Sequence, residues 1–312
     1  MASGVATART MGNRFSRLSI RRESQAYALL FLVPTALLFV GLVGYPVLYS
    51  LLLTVSGRGA APGQLGAFVG LANWARIASD PIFSQAVVQT LMYVIPAAVL
   101  GVLVGLGVAL VLNERFPGRR IVRAALLIPW ALPPVVVAAM FQWFLDSRRG
   151  LLGQWLVNAG LVDQSPIFLG GVPGTLYMLT AIHIWKTMPL LALMFLVALQ
   201  YLPNETIQAA RIDGASRWRR FRYVVLPFLR PTIVAAIIIQ VLITVQLFDL
   251  IFALTGGGPG RYSTYNVYFY TFKTTFEQTD FGYGAVLAYI VTGFVVVLAL
   301  LLTRGRARSI LS

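Results

Sequence analysis

Long apolar stretches separated by short polar segments dominate this chain of 312 residues. A helix that crosses a membrane needs about 20 apolar residues, and six stretches reach that length. The first is free of charged residues from Ser24 to Gly57, which is too long for the apolar core of a signal peptide, so we expect it to remain as a span. The six predicted spans are residues 26–55, 86–112, 122–145, 175–199, 232–254 and 284–303.

Composition supports a lipid environment. Hydrophobic residues make up 58% of the chain and charged residues 11%, whereas a soluble domain has about 25% charged residues. So few charges do not cover the apolar surface of a water-soluble protein of this size. We therefore predict an all-α integral membrane protein with six transmembrane helices.

The distribution of Lys and Arg predicts the orientation. From the N-terminal tail through the five loops to the C-terminal tail, the segments carry 5, 2, 4, 2, 6, 2 and 3 of these residues. Because positive residues accumulate on the cytoplasmic side, both termini and the loop after the fourth span are predicted to face the cytoplasm. The predicted divisions are a cytoplasmic tail (1–25), the first helix with its external loop (26–85), a five-helix core (86–303) containing a cytoplasmic loop (203–227), and a cytoplasmic tail (304–312).

Charge and residue types exclude several functions. The net charge of +15 is compatible with nucleic-acid binding, but the arginines lie at the ends of apolar runs and form no patch interleaved with aromatic residues. The chain has no cysteine, which excludes disulfides and thiol catalysis. One histidine and ten scattered carboxylates predict no metal site. No nucleotide-binding motif occurs, so any ATP hydrolysis that drives this protein is expected in another chain.

Small residues and prolines punctuate the predicted spans. Gly101 and Gly105 in "GVLVGLGVAL" have the spacing that permits close contact between membrane helices. Seven prolines are expected to kink or end helical turns. They are Pro34, Pro46, Pro96, Pro129, Pro133, Pro134 and Pro189.

The segment "YLPNETIQAARIDGASRWRRFRYVVLP" after the fourth span predicts two short helices. Asn204 is a candidate N-cap, and the first helix is expected to run to about Asp213. Gly214 then supplies a left-handed stop. Ser216 is a candidate cap for the second helix, and Pro227 is expected to end it.

Two interpretations of this segment remain open from the residues alone. A basic loop that fixes topology by its charge explains the arginines. It does not explain the first helix, which is nearly neutral and rich in small residues such as Ala209 and Ala210. Small residues let another surface approach closely, as in a helix that docks into a partner's groove.

The stretch "QAARIDGASRWRRFRYVVLP" resembles the cytoplasmic "EAA" loop of permease subunits of binding-protein-dependent ATP-binding cassette (ABC) importers. The matching positions are Gln208, Ala209, Ala210, Asp213, Gly214, Ala215, Phe221, Leu226 and Pro227. The sequence departs at Gln208, where the family usually has Glu. The resemblance implies that the loop forms the coupling helix, which seats in a cleft of the ATPase subunit. The implied ATPase-coupling residues are Glu205, Gln208, Ala209, Ala210, Asp213, Gly214 and Ala215.

Three further stretches resemble the carbohydrate-importing branch of this family, which includes permeases for maltose-type sugars and glycerol phosphate. They are "LNERFPGRRIVRAALLIPWALPPVVVAAMFQWFLD", "IWKTMPLLALMFLVALQYLPNE" and "FDLIFALTGGGPGRYSTYNVYFYTF". The resemblance implies a channel-forming, non-enzymatic subunit of a sugar importer in a bacterial or archaeal cytoplasmic membrane. The implied partners are a second permease, two ATPase copies that bind ATP and Mg²⁺, and an extracytoplasmic sugar-binding protein. No cofactor is expected in this chain.

Polar residues inside the spans are candidates for the substrate pathway, because at membrane depth they usually face the bundle interior or a cavity. Gln240 and Thr244 share a helix face, and their amide and hydroxyl match the hydrogen bonds of a sugar. The alternative is that they bond to neighbouring helices. The remaining pathway candidates are Gln246, Phe248, Asp249 and Tyr283, the two rings being expected to stack on a sugar.

Three other features give weaker hypotheses. Lys186 and Asp249 are candidates for an ion pair between spans. His183 is expected to hydrogen-bond between helices rather than relay protons. The sequence "TGGGPG" at 255–260 lies on the predicted external side, so it is either a flexible turn or a region that helps receive sugar.

Two functions of other classes compete with the importer subunit. A secondary transporter driven by an ion gradient requires several carboxylates in mid-membrane or broken helices in repeated halves. Of the ten carboxylate residues, only Asp249 lies within a predicted span, and it lies near the end of that span. A membrane-embedded enzyme requires clustered His, Asp or Glu at one membrane face, which the sequence does not show.

Overall fold

The computed structural model describes residue 27 and residues 30–57, 64–258, 260 and 262–310, with side chains as far as residue 300. The predicted N-terminal tail and its five arginines lie outside these residues. The described helices are α1 (Leu30–Leu53), α2 (Ala72–Arg76), α3 (Pro81–Asn113), α4 (Arg119–Ala131), α5 (Pro134–Phe144), α6 (Leu151–Asn158), α7 (Gly174–Gln200), α8 (Asn204–Ile212), α9 (Arg217–Val245), α10 (Asp249–Leu254), α11 (Val267–Phe272) and α12 (Phe281–Ile310).

Five of these helices are long and apolar enough to cross a membrane, namely α1, α3, α7, α9 and α12. The remaining predicted span, the third in chain order at residues 122–145, is broken. Its two halves, α4 and α5, meet at an angle of 95°. Pro133 and Pro134 explain the break, because neither has a backbone N–H to continue the helix and Leu132 before them is extended. The predicted count of six holds if this bent pair is one span.

The predicted fifth span, residues 232–254, is wrong at both ends. Helix α9 begins at Arg217, so the second helix of the charged segment runs directly into the span. Pro227 does not end it. A π-helical turn at Phe221–Val225 precedes this proline and accommodates its missing donor. The span then ends at Val245, and a break separates it from α10.

Close packing of α3 against α7 forms the centre of the bundle. A Cβ added at Gly105 would lie 2.8 Å from Cβ of Leu191 on α7. A Cβ at Gly101 would lie 3.3 Å from Nε2 of Gln240 on α9. Both glycines are buried, and they confirm the predicted role of small residues in bringing helices together.

The interior contains two apolar clusters along α7. The cluster towards the predicted external side includes Ile182 of α7 with α5 and α10. The cluster towards the cytoplasmic side includes Leu191 of α7 with α3 and α9. The buried polar residues His183 and Thr187 of α7 lie between these two clusters, so they form a separate layer in the bundle.

Candidate functional site: transport pathway and coupling segment

A buried polar layer joins α7 to α9. His183 Nε2 lies 3.0 Å from Thr244 Oγ1, and Gln240 Nε2 donates to Thr187 Oγ1 at 3.1 Å. The Thr244 hydroxyl also donates to the carbonyl of Gln240 at 2.7 Å. Its single hydrogen is used in that bond, so it accepts from the N–H group at Nε2 of His183. All four side chains are buried. His183 therefore bonds between helices, as expected.

One atom of this layer is left without a partner. Gln240 is fully buried, and its Oε1 accepts no hydrogen bond in the described part of the chain. An unpaired buried acceptor costs about 1–3 kcal/mol. A group of this kind is available to a donor that enters the layer, such as water or a substrate hydroxyl.

The structure brings three of the other pathway candidates together at the break after α9. Gln246 and Asp249 are exposed there, and Phe248 is partly buried between them. The Phe248 ring lies 5.5 Å from that of Phe252 and 4.7 Å from that of Phe272. Phe248 and Phe272 line a cavity of about 430 Å³, and its other lining residues are Tyr268, Thr271, Thr275, Phe276, Ala288, Val291 and Thr292.

Tyr283 does not join this group. Its ring is fully buried, and its hydroxyl donates to Oδ2 of Asp80 at 2.6 Å. Arg76 covers the ring, with the guanidinium carbon 4.1 Å from the ring centroid. The ring has no exposed face on which a sugar could stack, so the expectation for Tyr283 is wrong in this conformation.

Tyr283 belongs instead to a charged network on the predicted external side. Asp80 accepts two backbone N–H bonds at the start of α3 through Oδ1, and two tyrosine hydroxyls through Oδ2. The second tyrosine is Tyr270 of α11. Arg76 pairs with Asp280 at 2.6 Å. The network thus ties α2, α3, α11 and α12 together.

The carboxyl of Asp80 is held in its charged form. Burial opposes ionisation, but the hydrogen bonds from Tyr270, Tyr283 and the backbone of α3 outweigh it and lower the pKa of Asp80. Partial burial likewise disfavours the charge of Arg76, but the hydrogen bond and charge of Asp280 outweigh it and raise the pKa of the guanidinium. Asp80 and Arg76 are therefore both charged near neutral pH.

Lys186 does not pair with Asp249. Its Nζ donates to the carbonyls of Leu132 at 2.8 Å and Trp130 at 3.3 Å, and no carboxylate of the described residues lies within 4.0 Å of it. Asp249 attracts the ammonium from beyond contact distance. The predicted ion pair is replaced by a lysine bound to the broken third span.

The coupling segment has the predicted shape with one change. Helix α8 begins at Asn204, and Pro203 rather than Asn204 occupies the N-cap position. Gly214 has φ +74°, and the N–H groups of Ala215 and Gly214 bond to the carbonyls of Ala210 and Arg211. This is the Schellman pattern that ends a helix at glycine. The Ser216 side chain accepts from the backbone N–H of Arg219, as predicted.

No residue of α8 is buried. The implied coupling residues Glu205, Gln208, Ala209, Asp213 and Gly214 are exposed, whereas Ala210 and Ala215 are half-buried on the inner side of the turn. Ile212 is 87% exposed. The helix therefore presents small residues and one large apolar side chain to its surroundings.

The "TGGGPG" sequence is an ordered turn where it is described. Thr255 Oγ1 lies 3.0 Å from Thr264 Oγ1, and the Thr264 N–H bonds to the carbonyl of Gly257. A Cβ at Gly257 would lie 2.4 Å from the Tyr265 ring. Close packing against this ring requires glycine there, which argues against a purely flexible turn.

Sequence reasoning missed Thr187 and the external network. Thr187 lies one turn after His183, so the helical period places them on one face. Asp80 followed by Pro81 is a recognisable helix start. No local signal indicates that Tyr270 and Tyr283 bond to a carboxylate about two hundred residues earlier in the chain.

Comparison with known proteins identifies the family. The family model described as "Binding-protein-dependent transport system inner membrane component" matches residues 97–308. The sulfoquinovosyl glycerol transport system permease SmoG of Agrobacterium fabrum is 34% identical over 84% of both chains. The trehalose transport system permease SugA of Mycobacterium tuberculosis is 31% identical over 93% of this chain and 92% of its own.

The fold has a close counterpart among solved structures. A bacterial ABC transporter involved in the import of the acidic polysaccharide alginate contains a chain that matches with a TM-score of 0.80, at 21% identity, covering 95% of this chain and 99% of that one. These matches overturn the alternative of a secondary transporter driven by an ion gradient. The chain belongs to the family of inner membrane components of binding-protein-dependent transport systems, the permease subunits of ABC importers.

Proposed function

We propose that this chain forms part of the translocation pathway of a sugar importer in the cytoplasmic membrane and is driven by separate ATPase subunits. The relatives named above are transport system permeases for trehalose and for sulfoquinovosyl glycerol, which supports a sugar or sugar-like substrate. A solved relative of the fold was crystallised with an alginate pentasaccharide-bound periplasmic protein, which supports an external binding protein as a partner.

The observation that carries the proposal is the exposed helix α8. It has no buried residue, yet it is held rigidly by the Schellman turn at Gly214 and by a hydrogen bond from Arg220 to the carbonyl of Ala215. A rigid, uncovered helix with an 87% exposed isoleucine is suited to a groove in another protein. We assign that groove to the ATPase, and a second permease completes the channel.

The polar layer is the proposed substrate contact. Sugar hydroxyls donate and accept hydrogen bonds, so they substitute for the bonds that now join His183 to Thr244 and Gln240 to Thr187. In the described conformation the four side chains of the layer are buried. ATPase closure, transmitted through α8 and the continuous helix α9, is expected to separate α7 from α9 and admit the sugar.

Cysteine cross-linking tests the coupling role, because the chain has no native cysteine. Ile212→Cys in cells is expected to capture an ABC ATPase and to resist a membrane-impermeant reagent. Ile167→Cys is the matched control, 73% exposed on the predicted external side, and it is expected to react with that reagent and to capture no ATPase. Capture at neither position, or labelling of Ile212→Cys from outside, contradicts the proposal.

Substitution of one hydroxyl tests the substrate contact. In the assembled transporter, Thr244→Val is expected to raise the KM for sugar roughly fivefold to tenfold, the value of one lost hydrogen bond. Thr180→Val is the matched control, because that buried hydroxyl bonds to the carbonyl of Leu176 in its own helix. Equal KM values for the two variants would contradict the assignment of Thr244.

A further inference from the structure

The outer halves of two broken spans form one packed unit. Span three breaks before Pro133, and span five breaks after Val245. The segments beyond the breaks, α5 and α10, pack against each other. Val137 and Ala138 of α5 share a buried cluster with Leu250 and Ile251 of α10. This packed pair joins the inner bundle through a helix break at each of its two connections.

The break in span three leaves backbone carbonyls without helical donors. In a continuous helix, the N–H groups of residues 133 to 136 would bond to the carbonyls of residues 129 to 132. The prolines at 133 and 134 have no N–H, and the 95° bend carries the next two donors away. Unpaired carbonyls at membrane depth are costly, so another donor is needed.

Lys186 supplies that donor from the neighbouring span. Its ammonium bonds to the carbonyls of Trp130 and Leu132, the one before and the other after the last helical residue of α4. The adjacent Trp185 packs edge-on against Phe141 of α5, with ring centroids 5.3 Å apart. One turn of α7 therefore contacts both α4 and α5, the helices on the two sides of the bend.

The same turn of α7 carries the polar layer. His183 and Thr187 flank Lys186 in sequence and bond to Thr244 and Gln240 of α9. Any movement of α9 relative to α7 therefore acts on the helical turn that holds the bend. The bend and the substrate layer are mechanically adjacent, although they involve different partners.

We propose that Lys186 is a positioning residue that fixes the bend of span three, and so sets the position of the outer unit α5–α10 during transport. The residue acts through backbone carbonyls and does not bind the sugar. This assignment rests on the proposed function only where uptake is measured, because the bend itself is a property of the chain.

Spin-label distances test the proposal in the assembled transporter. Trp143→Cys on α5 and Tyr177→Cys on α7 are both exposed, and within this chain labels attach only there because it has no native cysteine; the partner subunits are used in cysteine-free form. We expect one narrow distance distribution in the parent and a clearly broader one with Lys186→Met. Lys186→Arg keeps the donors and is expected to restore the narrow distribution. An unchanged distribution with Lys186→Met overturns the proposal.

The matched control is the other lysine of the chain. Lys273 pairs with Glu277 outside the predicted spans, so Lys273→Met removes a lysine without touching the bend and is expected to leave the distribution narrow. Sugar uptake is expected to fall about tenfold with Lys186→Met and to recover with Lys186→Arg. A raised KM with an unchanged distance distribution would instead make Lys186 a sugar contact and overturn the proposal.

A further variant tests the proposal if the transporter complex does not assemble with Lys186→Met. If Lys186→Met gives no complex, Lys186→Ala, which also lacks a donor, is compared with Lys186→Arg in the same labelled chain, and identical distributions overturn the proposal. Absence of uptake in the unmodified complex would concern the proposed function alone, since the distance measurement needs no transport.

Discussion

Two connections between spans differ sharply in how they treat their polar groups. The connection between α7 and α9, which is predicted to be cytoplasmic, contains α8, and no residue of α8 is buried. The external connection between α10 and α12 is folded into the bundle. There Asn266 donates to the carbonyl of Leu247 at 2.5 Å and accepts from the N–H of Phe269, and the Tyr270 hydroxyl bonds to Asp80.

The difference shows which connection packs against other helices of the chain and which one stays exposed. Both connections turn at glycines with positive φ, at Gly214 and at Gly256, so local backbone chemistry does not distinguish them. The two connections differ in whether their side chains are buried and hydrogen-bonded by other parts of this chain. The predicted external connection finds its partners among the helices of this chain, whereas the residues of α8 are not buried by the described part of the chain.

Removal of the Asp80 carboxylate is expected to have the largest effect. Asp80→Ala leaves two buried tyrosine hydroxyls without their acceptor and removes the cap of α3, so we expect a loss of about 3 kcal/mol of stability. Thermal unfolding in detergent measures it. Asp146→Ala is the matched control, because that carboxylate accepts two backbone N–H groups but is exposed. Equal losses of stability in the two variants would contradict the prediction that a buried carboxylate contributes more than an exposed one.

Gly214→Asp is expected to have the next largest effect, on transport rather than on stability. No atom lies within 4 Å of an added Cβ, so the effect arises from the left-handed backbone and the new charge on the docking face. We expect uptake to fall by at least about tenfold with insertion unchanged. Gly118→Asp is the control, since Gly118 has φ +78° and equally open surroundings but lies outside the coupling segment. Normal uptake with Gly214→Asp would contradict the coupling role.

The smallest expected effect is a dependence of stability on pH. The pKa of Asp80 is lowered in the folded chain, so its contribution is fully present above the ordinary value of 3.8 and is lost as pH falls through the lower folded pKa. Thermal unfolding is expected to show a fall in Tm in this acidic range. Asp80→Asn, which cannot titrate there, should show a smaller fall. Parallel curves for the two proteins would mean that other carboxylates dominate.

The sequence predicted the helical class and the apolar spans because each depends on local patterns. Gly214 and Ser216 carry out their predicted roles, since a helix stop and a cap depend on residues within one turn. The predicted end of the second helix at Pro227 is wrong, because the π turn before this proline lets the helix continue. The break after Val245 gave no proline signal and was missed.

The candidate site was predicted in part. Gln240 and Thr244 do share a face, and their partners belong to α7, which the alternative of bonding between helices anticipated. Their contact with sugar stays a proposal. The Lys186–Asp249 pair was predicted only from the estimated membrane depth of the two residues. That estimate could not show that backbone carbonyls at the bend in span three would bind Lys186 instead.

The sequence by itself determined that this chain is a membrane protein with long apolar helices, and where helix α8 stops, because these depend on hydrophobicity and on dihedral preferences summed over neighbouring residues. Only the tertiary structure decided which distant polar groups meet, as with Tyr283 and Asp80 or Lys186 and the bend before Pro133. In a medium of low dielectric constant every buried polar group needs a partner, and the available partner depends on which helices pack together.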